Sequence, residues 1–367
     1  MIGCAEANID RPDLWLDSNL RVQTMNSTIS RRDFLGLSVG AAGVLVASAG
    51  FSVLPRRSKG GLIEAEPATW FEWTKLSPRC WIAQGEGGNV LVIAGDGEAI
   101  VIDAKNPAYG AMLRREAEKT TGLPVKTLIN THHHGDHTGG NWAFTTDCTV
   151  IAHEKAKPRI ASQMPRIQSG GKNAATGLAN STKAGKNAII ADIGVMEATG
   201  YKPSAWEPTK TVGDVEKLHI GGVNIELIHV GPGHTDNDVI VFLPDENVMH
   251  SGDLLFNNMW PFPDRAGGCE TAGWIVSCEK ILDICGDRKT VVVPGHGAVG
   301  DKEIAQRQRQ MFIALRAKAA AAVKAGQKKE EFLARPWDEY KDYAAADSIK
   351  ARTLGAVWDE AAGTPAG

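Results

Sequence analysis

The chain has 367 residues, 43% of them hydrophobic, and a formal net charge of -3. That length is ample for one large core or two modest ones. Basic residues are scattered and no aromatic-rich basic stripe occurs, which argues against a nucleic-acid partner.

In chain order, the first recognisable element is a processing signal. Ser30-Arg31-Arg32-Asp33-Phe34-Leu35-Gly36 resembles the twin-arginine export motif, and the uncharged stretch from Phe34 to Leu54 follows it. Ala47-Ser48-Ala49 offers a small-residue cleavage site. Such signals have short leading regions, so Met25 is the expected start, residues 1–24 an upstream extension and residues 25–54 the signal. The expected partner is the twin-arginine export machinery and the expected location periplasmic or otherwise extracytoplasmic. A membrane is met only if the signal stays uncleaved.

From about Cys80 short strands, turns and helices alternate. Residues 89–94 and 99–103 read as a hairpin around Gly95-Asp96-Gly97. Residues 109–120 read as a helix stopping near Gly122, and residues 125–130 as the next strand. Between Glu154 and Gly213 the composition turns to Gly, Ala, Asn, Lys and Ser, which predicts a flexible insertion, either a lid or a plain surface loop. Strands are expected at 223–230, 239–243, 248–250 and 290–293. Cys278 and Cys285 fall on one face of a helix with Trp274 and Ile281, two turns apart and too distant to bridge, so they read as core residues. Cys269 is left as a disulfide candidate. After Gly300 packing helices are expected, through Gly326 and again from Lys328.

Four metal-ligand side chains lie within six residues in His132-x-His134-x-Asp136-His137, just after an apolar strand. Imidazole and carboxylate together suit a borderline divalent metal such as zinc. A catalytic zinc takes about three protein ligands, so this density invites a pair of ions. His234, Asp253 and His296 each stand just past the end of another apolar strand, where open sheets build their sites. Two ions roughly 3.5 to 4 Å apart can share a water and lower its pKa from ~15.7 toward ~7, which makes hydrolysis of an ester, thioester, lactone or amide the natural reaction. His133 is out of step with the ligands, and His153, His219, His229 and His250 read as satisfied structural histidines. Trp260-Pro261-Phe262-Pro263 offers an apolar wall for a small-molecule substrate.

These motifs, in this order from roughly Trp70 to Gly300, resemble the metallo-β-lactamase superfamily. The resemblance implies a four-layer αββα sandwich, an α/β fold, over residues 68–300, with C-terminal helices at 301–345. It assigns His132, His134 and His234 to one metal ion and Asp136, His137 and His296 to the other. Asp253 would bridge the two, and Asp103 would support the site from behind. Asp136 and Asp253 are the candidate catalytic carboxylates, and two divalent ions, zinc first, are the implied cofactors.

Within the superfamily the resemblance is nearest to exported hydrolases such as those linked to quinoprotein relay systems. A lactamase ligating its second metal through Cys has Asp253 here, and its carboxylate-anchoring Lys would fall at Phe256. β-Lactamase activity is therefore an alternative rather than the expectation. A non-catalytic exported metal-binding accessory protein is another, and retention of all seven ligand positions favours the enzyme. Electron-transferring members replace the second His with Glu, whereas His134 stands here.

Overall fold

The computed structural model describes residues 69–344 and 346–365. The export signal, the upstream extension and Cys4 lie outside the described residues. Among the described residues twelve strands, numbered here in chain order, form two sheets.

The first sheet holds β1 (Glu72–Lys75), β2 (Cys80–Gln84), β3 (Val90–Ala94), β4 (Ala99–Ile102), β5 (Val125–Ile129), β6 (Thr149–His153) and β7 (Lys210–Val212), side by side in that order. Pairing is antiparallel from β1 to β4 and parallel from β4 to β7. The second sheet runs β12 (Val291–Val293), β11 (Val248–His250), β10 (Ile240–Leu243), β9 (Val223–Ile228), β8 (Val215–Ile220). It is antiparallel except for the β11–β12 pair.

Both faces of each sheet are covered, which is why the central strands read as unbroken apolar runs rather than alternating ones. Along β3, Leu91 and Ile93 enter an apolar layer shared with Ile225, Leu227, Val241 and Val293 of the second sheet. Val90 and Val92 face the other way, into a core with helices α1 (Gly110–Thr121), α4 (Met164–Ala179) and α5 (Lys186–Ala198). On the far side, Ile240 and Phe242 of β10 meet α6 (Thr271–Cys285), α7 (Glu303–Lys324) and α9 (Asp347–Ala361). Helix, sheet, sheet and helix thus stack in four layers, the expected αββα sandwich, with C-terminal helices on the second sheet. The short helices α2 (Gly135–Thr138), α3 (Ala156–Ser162) and α8 (Lys329–Ala334) complete the set.

Two expectations need correction. The stretch from Glu154 to Gly213 is not a flexible insertion: it folds into α3, α4, α5 and β7. Ile167, Leu178, Ile189, Ile193 and Met196 bury on the first sheet's outer core, and this sparse apolar set is diluted in the sequence by Gly, Ala and Lys on the exposed faces. Cys269 forms no disulfide, since the five described cysteines are all buried and free. The expected C-terminal helices α7 and α8 pack on the second sheet, and beyond them α9 brings Ile349 to the wall of the main cavity. Helix α9 was not anticipated as an element; its Leu354, Val357 and Trp358 belong to the second sheet's core. Among the described residues no helix is long and apolar enough to cross a membrane.

Candidate metal centre

Strands β4, β5, β9, β11 and β12 all end at one edge of the sandwich, and each delivers site residues from the loop that follows. Asp103 follows β4, the histidine cluster follows β5, His234 follows β9, Asp253 follows β11 and His296 follows β12. Beyond the end of a sheet the backbone is released from its ladder, so a side chain can turn inward over the edge.

All seven predicted ligand positions meet there. The ligand atoms of His132, His134, His234 and Asp253 lie within 4.8 Å of one another, and so do those of Asp136, His137 and His296. Asp253 stands between the groups. Its Oδ2 is 3.5 Å from His234 Nε2 and 3.9 Å from His132 Nε2, while its Oδ1 is 3.1 Å from His137 Nε2 and 3.4 Å from His296 Nε2. One carboxylate therefore presents one oxygen to each group.

The rings are held from behind. His137 Nδ1 donates to Asp103 Oδ2 at 2.7 Å, and Asp103 also accepts from the Thr131 N–H and hydroxyl, each at 2.8 Å. Asp103 adopts φ 70, a conformation costly for a residue with a Cβ and held here by these contacts, and Lys105 adopts φ 67 with its buried ammonium donating to the Ala83 and Gly88 carbonyls at 2.7 Å each. His132 Nδ1 bonds the Thr131 hydroxyl at 3.0 Å, and His234 Nδ1 donates to the Phe262 carbonyl at 2.6 Å. His134 is reversed: its Nε2 meets Asp264 Oδ2 at 2.9 Å, leaving Nδ1 toward His234 Nε2 at 3.0 Å. Back-side acceptors of this kind fix the tautomer of a metal-holding imidazole.

The donor set fits a cation. His132 Nε2, His137 Nε2 and Asp253 Oδ1 are buried without a hydrogen-bond partner, and each such atom costs about 1–3 kcal/mol unless something binds it. Burial would lower His137 and His296, but Asp253 and Asp136, joined at His137 by Asp103, raise His137 well above its ordinary range and His296 to about 9. Burial pushes His132 down, helped by His137, and takes His234 to about 3. Against the pull of burial, His296 and His137 hold the Asp253 carboxyl well below the usual range. Asp253 is thus a buried carboxylate that calls for positive charge on both sides, which a pair of divalent ions would supply.

Two glycines are required by this crowding. A Cβ on Gly88 would lie 2.1 Å from His137 Cε1, and one on Gly295 would lie 1.9 Å from Asp253 Oδ1. Gly88→Ala is expected to force His137 aside, destabilising the protein by the ~1–3 kcal/mol of an overpacked core and lowering bound metal. Thermal melting with elemental analysis checks this, and an unchanged metal content would refute it.

A cavity of about 440 Å³ opens over the cluster. His134, Asp136, Asp253 and His296 line its floor, and Phe256, Met259, Trp260, Phe262, Ile167 and Ile349 line its walls, with Arg166 and Gln163 from the α3–α4 region. Phe256 stacks on His296 with centroids 5.3 Å apart. Sequence reasoning passed over Asp264, whose partner is 130 residues away and leaves no spacing signal. It also passed over Arg166, hidden in the stretch read as a loop. Of the other histidines, His250 is satisfied by the Asn89 carbonyl and the Gly252 N–H. His219 bonds Asn224, and His133 bonds Asn237 and faces Asp264. His153 and His229 depart from the expectation, since each leaves Nε2 buried and unpaired.

A relative from Bacillus cereus, "Metallo-beta-lactamase type 2", is 29% identical over 120 residues, covering 33% of this chain and 44% of that protein. An acyl-coenzyme A thioesterase from Homo sapiens is 22% identical over 223 residues, covering 58% of this chain and 74% of its own. The chain spans between 40% and 62% of the length of the first curated relatives it matches. A solved structure of a double mutant of a sec-alkyl sulfatase superposes with a TM-score of 0.57 at 18% identity, covering 79% of this chain and 50% of that one. The model of the metallo-beta-lactamase superfamily matches residues 83–321, and with the two-sheet sandwich and the His/Asp cluster at its edge, the chain belongs to that superfamily.

Proposed function

We propose that the protein is an exported binuclear metal-dependent hydrolase acting on an ester, thioester, lactone or amide of a substrate with an apolar part. The observation that carries the binuclear reading is Asp253, whose two oxygens face two separate groups of histidines. His132, His134 and His234 would hold one ion, Asp136, His137 and His296 the other, and Asp253 would join them.

Bound there, two divalent ions supply a water nucleophile ionised near neutral pH and Lewis-acid contacts to the electrophile. The chain's own residues do the rest. Asp253 sets the separation of the two groups, and its burial keeps it from solvent. Asp136 is the more exposed of the two carboxylates and, like Asp253, lines the cavity, so it would hold its ion on the side open to the substrate. Phe256, Met259, Trp260 and Phe262 exclude water from one side and receive the apolar portion of the substrate. Two ions with Asp136 and Asp253 leave the floor positively charged, which favours an anionic or electron-rich group at the reacting end.

β-Lactams fit less well. Phe256 stands where a lactam carboxylate needs a buried cation, and loss of one charge-assisted hydrogen bond costs about 1.5–3 kcal/mol. Arg166 is on the cavity wall but exposed, where a charge is screened and contributes little. The test is steady-state kinetics of the metal-loaded protein on apolar esters, lactones, thioesters, alkyl sulfates and nitrocefin. Turnover of an activated ester, lactone or thioester should exceed that of β-lactams. A kcat/KM near ~10⁶ M⁻¹s⁻¹ on penicillins or carbapenems would make lactamase the assignment. Full metal loading with no turnover of any of them would favour the accessory-protein reading.

The export reading rests on Arg31-Arg32 and the apolar stretch after them. Changing Arg31→Lys together with Arg32→Lys keeps the charge and removes the paired guanidinium groups. The double variant should remain in the cytoplasm on fractionation, and normal export would point to a different route.

A further inference from the structure

His153 ends β6 in the first sheet and His229 follows β9 in the second, and neither belongs to the centre described above. Their rings lie 4.2 Å apart between centroids with planes tilted by 33°. Close as they are, the two rings form no hydrogen bond that would satisfy either Nε2. Both residues are buried, at 1% and 7% exposure, and both Nε2 atoms lack a partner. Two orphaned nitrogens side by side are a standing cost unless a ligand meets both.

A third ligand stands beside them. Asp214 precedes β8, and its carbonyl accepts the His229 N–H at 2.7 Å, which fixes the two residues relative to each other. Asp214 Oδ1 is 3.6 Å from His153 Nε2, and the ligand atoms of all three residues lie within 4.8 Å of one another. A 3.6 Å gap is too long for a hydrogen bond. It is close to the ~3.4 Å between two ligands of a tetrahedral zinc with bonds of about 2.0–2.1 Å.

The ring chemistry agrees. His229 Nδ1–H donates to the Asp238 carbonyl at 2.8 Å, which leaves a lone pair on Nε2. Ligation through His153 Nε2 puts its ring proton on Nδ1 and gives up only the long 3.4 Å contact from the Lys155 N–H.

We propose that His153, His229 and Asp214 form a further site for one borderline divalent cation of the zinc class, tying the end of β6 to the β8–β9 ladder across the two sheets. Asp214 is largely exposed, so a water completes the coordination on the solvent side. Because these residues do not line the cavity, the site is structural.

The test is metal content after equilibration of the purified protein with zinc, comparing the wild type with His229→Gln and Asp214→Asn. Each variant should carry about one equivalent less than the wild type, while turnover of the best substrate is retained. Zinc should also raise the melting temperature of the wild type more than that of Asp214→Asn. The readout is the difference between proteins, so it survives even if the main centre holds fewer ions than proposed. Asp214 is at the surface, so its variant decides the matter if His229→Gln fails to fold. Equal metal content in the wild type and Asp214→Asn would overturn the site.

Discussion

Asp253→Ala is expected to reduce kcat/KM by at least the ~10²–10³-fold that follows removal of one preorganised electrostatic contact, and to drop bound metal from about two ions to one or fewer. The residue presents Oδ1 to His137 and His296 and Oδ2 to His234 and His132, so no single neighbour can take over both contacts. The space it fills is specific to it, since Gly295 lacks a Cβ where one would strike Oδ1. Asp253 sits in a one-turn helix past the end of β11 rather than in an apolar layer, so its loss leaves the three cores untouched. The metal-free variant should therefore melt within a few degrees of the metal-free wild type, whereas the gain in melting temperature on adding zinc should shrink. Activity surviving within a few-fold, with metal content unchanged, would show that the carboxylate does not join the two groups.

The gathering of these seven side chains was legible because its signals are local or positional. His132 to His137 are contiguous, and His234, Asp253 and His296 each stand just past a short strand legible from its apolar or alternating pattern. The supporting residues were not legible in the same way. Asp264 reaches His134 across 130 residues, and nothing in a single sequence announces a contact of that length. Residues 154–213 misled for a different reason: Gly171 in α4 fits closely against Met196 of α5, so a glycine that reads as a loop signal is a packing contact between helices. His153 and His229 were assigned structural roles because each ends or follows a strand, which is true. Their unpaired Nε2 atoms become visible only once the two sheets are stacked.

Asp103 separates two roles that a buried carboxylate can play, and two substitutions should pull them apart. The side chain is fully buried and accepts three hydrogen bonds, from the Thr131 N–H, the Thr131 hydroxyl and His137 Nδ1. Asp103→Ala leaves a buried N–H and a buried imidazole without acceptors and is expected to cost about 3–5 kcal/mol. For a domain of this size that is a fall of about 5–8 °C in melting temperature. Asp103→Asn keeps the shape and can still accept from Thr131 through Oδ1, so its stability should stay much nearer the wild type. Its amide, however, offers an N–H where His137 Nδ1 needs an acceptor. The imidazole then turns its lone pair to Nδ1 and its proton to Nε2, the atom that faces Asp253 and Asp136. A protonated Nε2 cannot ligate, so the Asn variant should lose about 10–100-fold in metal affinity or activity while melting nearly normally in the metal-free form. Equal metal affinity in Asp103→Asn and the wild type would mean that the carboxylate serves only to hold the β4 and β5 ends together, and that the His137 tautomer is set elsewhere.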